Sequence, residues 1–222
     1  MRKLFCLVLV LAFVGMASAA TNLLSNPGFE ESDTSLNGWT TWDAVSFEGA
    51  WGTSFPGTAT ISEDTASGSC SVLINCNTVD GFAQQFGIYQ VVNVPVGTEV
   101  ALTGMWKGNL GGDGWAELKI ATCAVGASFV LDGNKQYAAK IDTYGSGNSR
   151  PGGVWDWEST TLAPLSGNTI VSQGQVIVYT EMGGWGTAST LMLDDMMLEV
   201  VPEPMTIALL GLGAFGLIKR KK

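Results

Sequence analysis

Glycine sets the terms on which this chain can fold. Twenty-nine glycines are spread over 222 residues. From Thr21 onward they cut the sequence into runs too short for an amphipathic helix of ordinary length. The runs between them are rich in Val, Thr and Ser, and β-branched residues suit a pleated, half-buried surface. Ten of them read as strands: 45–48, 59–62, 70–75, 88–94, 99–107, 115–122, 129–131, 157–162, 175–179 and 190–200. Several alternate apolar with polar residues. In Gln175-Val176-Ile177-Val178-Tyr179, for example, Val176 and Val178 share one face. Short strands between turn signals, with no helical period and no internal repeat, predict an all-β domain built as a two-sheet sandwich.

The two ends of the chain have a different character. Residues 1–19 read as a secretory signal peptide, with Arg2 and Lys3 at its start, an apolar centre over 4–14, and Ala17-Ser18-Ala19 as the small-residue cleavage site. Residues 20–201 then form one domain, and its cysteines meet an oxidising compartment. Residues 202–222 have three parts in order: the rigid break Pro202-Glu203-Pro204, an uncharged apolar run over 205–218, and the basic end Lys219-Arg220-Lys221-Lys222. A basic end after an apolar run is a positive anchor on the cytoplasmic side. The run is short, roughly 21 Å as a helix against an apolar core of about 30 Å. Gly211, Gly213 and Gly216 weaken it further. This suits a temporary hold on the membrane better than permanent residence. In order and spacing the three parts resemble a PEP-CTERM sorting signal. The resemblance implies processing around Pro202-Glu203-Pro204 by an exosortase, a membrane cysteine protease. It also implies an intermediate in the inner membrane of a Gram-negative-type bacterium, then transfer to the cell surface or extracellular matrix, often in company with exopolysaccharide.

A second resemblance spans the domain. The opening Asn22-Leu23-Leu24-Ser25-Asn26-Pro27-Gly28-Phe29-Glu30 is followed by Gly38-Trp39, and Leu191-Met192-Leu193-Asp194-Asp195-Met196-Met197-Leu198 stands near the other end. Between them come Ser67-Gly68-Ser69-Cys70-Ser71, then Tyr89 to Val94 leading to Gly97-Thr98, then Trp157-Glu158-Ser159-Thr160. This framing resembles the galactose-binding-like jelly rolls, in particular carbohydrate-binding modules of the CenC type. It implies a jelly-roll β-sandwich, which the readings of the two ends flank with an N-terminal signal helix and a C-terminal hydrophobic helix. First and last strands that pair would bring Glu30 close to Asp194 or Asp195, and like charges brought together need a cation or a raised pKa. The resemblance implies a structural calcium ion there, held by the Gly28 carbonyl, Glu30 and Asp194. Glu63 and Asp64 lie near the position of a further ligand but are offset from it.

Charge and aromatic content narrow the function. All twenty acidic residues lie between Glu30 and Glu203, with five basic residues over the same stretch, a net of −15. Such a surface repels phosphate backbones and excludes nucleic acid as a partner. Sugar binding by jelly rolls uses aromatic faces aided by polar side chains. Trp39, Trp42, Trp106 and Trp157 read as core residues. Trp51, Trp115, Trp155 and Trp185 stand beside glycines or in loop-like stretches, as does Tyr144, and these five are the candidates for glycan contact. Cys70 and Cys76 are separated by roughly 20 Å of extended chain, beyond disulfide reach. Either Cys123 bridges one of them, or a bend near Asn75 closes the pair, or all three are small buried apolar residues. The chain has no histidine, which removes Ser-His-Asp and Cys-His catalysis and leaves no zinc spacing. Asp156 and Glu158 are the one carboxylate pair to test as a glycosidase centre, and they read more simply as solvated strand acids. The expected function is non-enzymatic: an exported surface or matrix protein whose jelly roll binds polysaccharide. The alternatives are a glycan hydrolase or lyase on the same sandwich, and a structural or adhesion protein without a sugar ligand.

Overall fold

The computed structural model describes residues 21–43, 57–76, 86–110, 113–125, 136–142, 154–159, 168–185 and 189–201. The expected signal peptide, the tail, the expected strands 45–48 and 129–131, Trp51 and Tyr144 lie outside the described residues. Eleven strands run through the described part: β1 Thr40–Asp43, β2 Thr58–Ser62, β3 Ser71–Cys76, β4 Phe86–Asn93, β5 Glu99–Leu110, β6 Asp113–Ala124, β7 Gln136–Asp142, β8 Val154–Ser159, β9 Asn168–Ile170, β10 Gly174–Trp185 and β11 Ser189–Val200. They form two antiparallel sheets. The first has the order β1-β4-β10-β6-β7, and the second β2-β3-β11-β5-β8, with β9 added against the start of β5. The chain crosses repeatedly between the sheets, as in a jelly roll, so the expected all-β, two-sheet jelly-roll sandwich is the fold found.

Alternation along the strands builds the core. Val72, Ile74 and Cys76 of β3, Val100, Leu102 and Trp106 of β5, and Leu191, Leu193 and Leu198 of β11 point inward from the second sheet. They meet Ile88 of β4, Ala116, Leu118 and Ile120 of β6, and Val176 and Val178 of β10. The opposite parity of the first sheet is buried as well. Trp42, Ala121, Cys123, Ile177 and Tyr179 make a second apolar cluster on its outer face, with Tyr89 packed against them.

Three differences from the sequence reading follow from this. First, β6 begins at Asp113 and β10 continues to Trp185, and Trp155 lies on β8. Trp155 and Trp185 are therefore strand residues, not loop residues, and Trp115, the first residue of the expected strand 115–122, is buried, with 9% of its surface exposed. Glycine beside a tryptophan marks a loop only when the ladder stops there, and here Gly114 and Gly184 face each other as a pair in it. Second, β1, β7 and β9 carry too little alternation to be seen in the sequence. Third, no disulfide joins Cys70, Cys76 and Cys123, and of the alternatives the unbridged one is found, with Cys76 and Cys123 buried but Cys70 half-exposed. Cys76 lies between the sheets and Cys123 on the far face of the first sheet, so a layer of structure separates them. Burial pushes the Cys76 thiol up to about 11. Trp39, Trp42 and Trp106 are buried, as expected of core residues.

Candidate functional site

The N-terminal segment is tied to the last strand by one asparagine. Asn22 accepts hydrogen bonds at Oδ1 from the backbone N–H groups of Leu24 and Leu198, both at 3.1 Å, and donates from Nδ2 to the Met196 carbonyl at 2.7 Å. Leu23 N–H reaches the Leu198 carbonyl at 2.8 Å, and Met196 N–H reaches the Pro27 carbonyl at 2.9 Å. The pairing depends on a bulge. Asp194 stands opposite Met105 and Met197 opposite Thr103, so three steps on β11 match two on β5. Asp195 absorbs the extra residue at φ 48°, and Asn26 and Phe29 take left-handed backbone at φ 45° and 59°. Three non-glycine residues in that region within one small site is backbone strain of a kind that gathers at functional positions. The turn at Phe29 drives its ring into the core, 5.5 Å from the Trp39 ring.

This geometry places Glu30 and Asp194 beside Gly28. Between them passes the loop 63–70. Glu30 Oε1 accepts from the N–H groups of Ser69 at 2.7 Å and Cys70 at 2.9 Å. Asp194 Oδ2 accepts from Ala66 at 2.9 Å and Ser67 at 3.1 Å. Ser67 Oγ donates to Asp195 Oδ1 at 2.9 Å. At the apex of the loop Gly68 has φ +65°, and a Cβ there would collide with the Glu30 carboxylate. A Cβ at Gly28 would lie 3.7 Å from Asp194 Oδ1 and 3.8 Å from Asp195 Oδ1, so both aspartates turn an oxygen toward Gly28. Asp194 is fully buried. Burial raises its pKa, the backbone N–H groups of Ser67, Ala66 and Asp195 pull it down, and the Asp195 charge raises it again. The half-exposed Cys70 thiol is likewise raised, by desolvation first and then by Glu30, Asp33, Glu63 and Asp194. Among the described residues, no three acidic or cysteine side chains converge as a metal cage. A hard cation here would therefore draw on main-chain oxygens such as the Gly28 carbonyl. Asp64, one of the offset acids, pairs instead with Lys107.

The second polar constellation lies on the outer face of the first sheet. In the β6/β10 register Glu117 stands opposite Glu181, and Lys119 opposite Tyr179. Two acids directly across a ladder repel each other, and Lys119 resolves this by pairing with both, its Nζ 2.5 Å from Glu117 Oε2 and 2.5 Å from Glu181 Oε2. Burial alone would lower the Lys119 pKa, but the Glu181 and Glu117 carboxylates outweigh it and hold the ammonium above its ordinary range. The same Nζ lies 5.7 Å from the centre of the Tyr179 ring. On the same parity of the sheet are Trp42, whose Nε1 donates to the Thr180 carbonyl at 2.9 Å, and Tyr89, Trp115 and Gln175. Gln175 Nε2 donates to Asn93 Oδ1 at 2.8 Å. The face thus combines aromatic rings, a buried ion cluster and amide groups. The sequence reading missed Glu117, Lys119, Glu181, Tyr89 and Tyr179. A signal was present in Glu117-x-Lys119 and Tyr179-x-Glu181, since charge at every second strand position marks one face, but such a face reads by default as solvent.

Of the five glycan candidates, Trp115 belongs to this face. The backbones of Trp155 and Trp185 are placed on β8 and β10, which belong to different sheets. Asp156 is exposed on β8, which lies at an edge of the second sheet, away from the Lys119 cluster.

Residues 200–222 match the model of the PEP-CTERM protein-sorting motif, which marks an exported protein. Among the described residues no helix is long and apolar enough to cross a membrane. No curated protein matches the chain. Solved structures that resemble it include the carbohydrate-binding module TmCBM61 in complex with β-1,4-galactotriose, at 17% identity over 82% of this chain and 100% of that one, with a TM-score of 0.49. The CBM22-1 xylan-binding domain of Paenibacillus barcinonensis Xyn10C is 20% identical over 83% of this chain and 97% of its own, with a TM-score of 0.46. The CBM22-1-GH10 modules of Clostridium thermocellum Xyn10B, complexed with xylohexaose, are 13% identical over 83% and 29%, also with a TM-score of 0.46.

Proposed function

We propose that this is a surface or matrix protein that its tail holds in the inner membrane until an exosortase acts around Pro202-Glu203-Pro204, and whose sandwich then binds polysaccharide. The match to the sorting motif over 200–222 supports the first half. The observation that carries the second half is the half-exposed set Tyr89, Gln175 and Glu181 on one face of the first sheet, beside the buried Trp42, Trp115, Glu117, Lys119 and Tyr179. The Tyr89 ring supplies apolar surface for a sugar face, the Glu181 carboxylate and Gln175 amide supply directed hydrogen bonds to hydroxyls, and Lys119 fixes Glu181 from beneath. We read the face as binding rather than catalytic. Both acids of the cluster are held by one ammonium, so neither is placed to exchange a proton with a leaving group.

The test is a pull-down of the intact exported protein on the producing organism's own exopolysaccharide, wild type against Tyr89→Ala. Retention of the wild type and a clear loss in the variant, with unchanged melting, is the expected result. No retention of either protein would leave the structural or adhesion reading in its place, and release of reducing sugar ends would favour the enzymatic one.

Calcium belongs to the same proposal, at the Gly28 carbonyl, Glu30 and Asp194. The support is the burial of Asp194 beside a second aspartate, since a cation removes the cost of placing these charges together. Melting should shift upward with calcium over chelator, and Glu30→Gln should reduce the shift. Superimposable melts would end the calcium reading.

A further inference from the structure

We propose that one end of the sandwich is a membrane-resting surface, which lies against the lipid headgroup and upper acyl region while the tail is inserted. The end in question contains the turn from β4 to β5, the close of β6, the turn from β9 to β10, and the close of β11. Register places these together: Gln175 faces Asn93, Gly174 faces Ala124, Ile170 faces Glu99 and Val200 faces Val100. Five large apolar side chains are exposed among the described residues, and four of them are at this end: Val96 (65%), Val125 (67%), Ile170 (59%) and Val200 (45%). Val96 and Val125 both approach Gly174. Among the described residues the other exposed positions here are uncharged, including Pro95, Ser172 and Gln173, and half-buried Glu99 and Glu199 are the charges at the rim. In a stretch of chain with a net charge of −15, this is the surface that could approach lipid with least repulsion.

The occupant follows from where the chain leaves. Val201 N–H is bonded to the Glu99 carbonyl at 2.8 Å, so the last strand delivers the tail from this end. Four peptide units separate Val201 from Met205, the first residue of the apolar run. Fully extended they span at most about 14 Å, too little to move the domain clear of the bilayer surface. The chain also enters the fold at this end, because Leu23 pairs with Leu198. A contiguous apolar surface marks an interaction site, and here the tether fixes lipid as the nearest apolar phase. The inference rests on the membrane-held intermediate proposed above.

The test uses the full chain reconstituted in vesicles of phosphatidylethanolamine and phosphatidylglycerol that carry a photo-crosslinking lipid with its reactive group near the headgroup. Adducts are mapped by peptide mass spectrometry. The expected pattern is adducts in the tail together with adducts at Val96, Val125, Ile170 and Val200, and few at exposed residues of the acidic loop such as Glu63. Val96→Glu with Ile170→Glu, both at exposed positions, should reduce the end adducts at least fivefold and leave the tail adducts intact. Tail adducts with domain adducts spread evenly or absent would overturn the resting surface while sparing the membrane-held tail. Absence of tail adducts would overturn the membrane-held reading and this inference with it.

Discussion

Lys119 shows how a single residue can organise a sheet face. Its ammonium lies between two carboxylates that the β6/β10 register would otherwise set in direct opposition. Removing it takes away the ammonium that lies between the buried Glu117 and the half-buried Glu181 and leaves the two acids opposed across the ladder. Lys119→Ala should cost about 3–5 kcal/mol, read from the midpoint of chemical denaturation. The raised Lys119 pKa has a definite sign. A cation held more strongly in the folded state gives stability that is complete below its unfolded pKa, near ~10.4, and is lost as pH rises through the folded value. The difference in stability between wild type and Lys119→Ala should therefore persist undiminished to pH 9 and shrink only in strong alkali. Gly68 is the counterpart in the acidic loop, where left-handed backbone and the Glu30 carboxylate leave no place for a methyl group. Gly68→Ala should cost about 1–3 kcal/mol and weaken the response to calcium.

At the scale of elements, β11 decides the most. It is central in its sheet, lying between β3 and β5, and its bulge turns Asp194 toward the loop and frees Met196 N–H for Pro27. Asn22 then closes the seam with three hydrogen bonds. Asn22→Ala leaves their partners unmet and should cost about 1–3 kcal/mol. Amide exchange should accelerate at Leu23, Leu24 and Leu198 while the β6/β10 ladder stays protected. Equal acceleration in both places would mean that the N-terminal segment is integral to the whole sandwich and is not a separable clasp. The pairing of the first and last segments was legible in the sequence because Asn22 to Glu30 and Leu191 to Leu198 are both dense in distinctive residues. The long strands β5, β6, β10 and β11 were legible through alternation. The shortest strands were not: β1 is four residues long and β9 three, and strands of that length take their place from neighbours. The Lys119 cluster was hidden for a related reason. Alternating charge says which residues share a face, but not that the face is covered, and burial is a property of the assembled layers.

For the whole molecule, the order of events matters more than any one contact. A β-sandwich with an apolar core and an ordered final strand ends within a few residues of its sorting segment. Folding and processing are therefore close neighbours in space, with Val201 still bonded to Glu99 where the Pro202-Glu203-Pro204 break begins. Cleavage at that break should leave β11 intact, so the processed protein should melt within a few degrees of a form that retains the tail. The most direct measurement is intact-mass and peptide mass spectrometry of the protein recovered from the cell exterior. A mature chain lacking the apolar run 205–218 and the basic end Lys219-Arg220-Lys221-Lys222 is the predicted result. Recovery of an exterior form that still carries the segment from Met205 to Lys222 would contradict it.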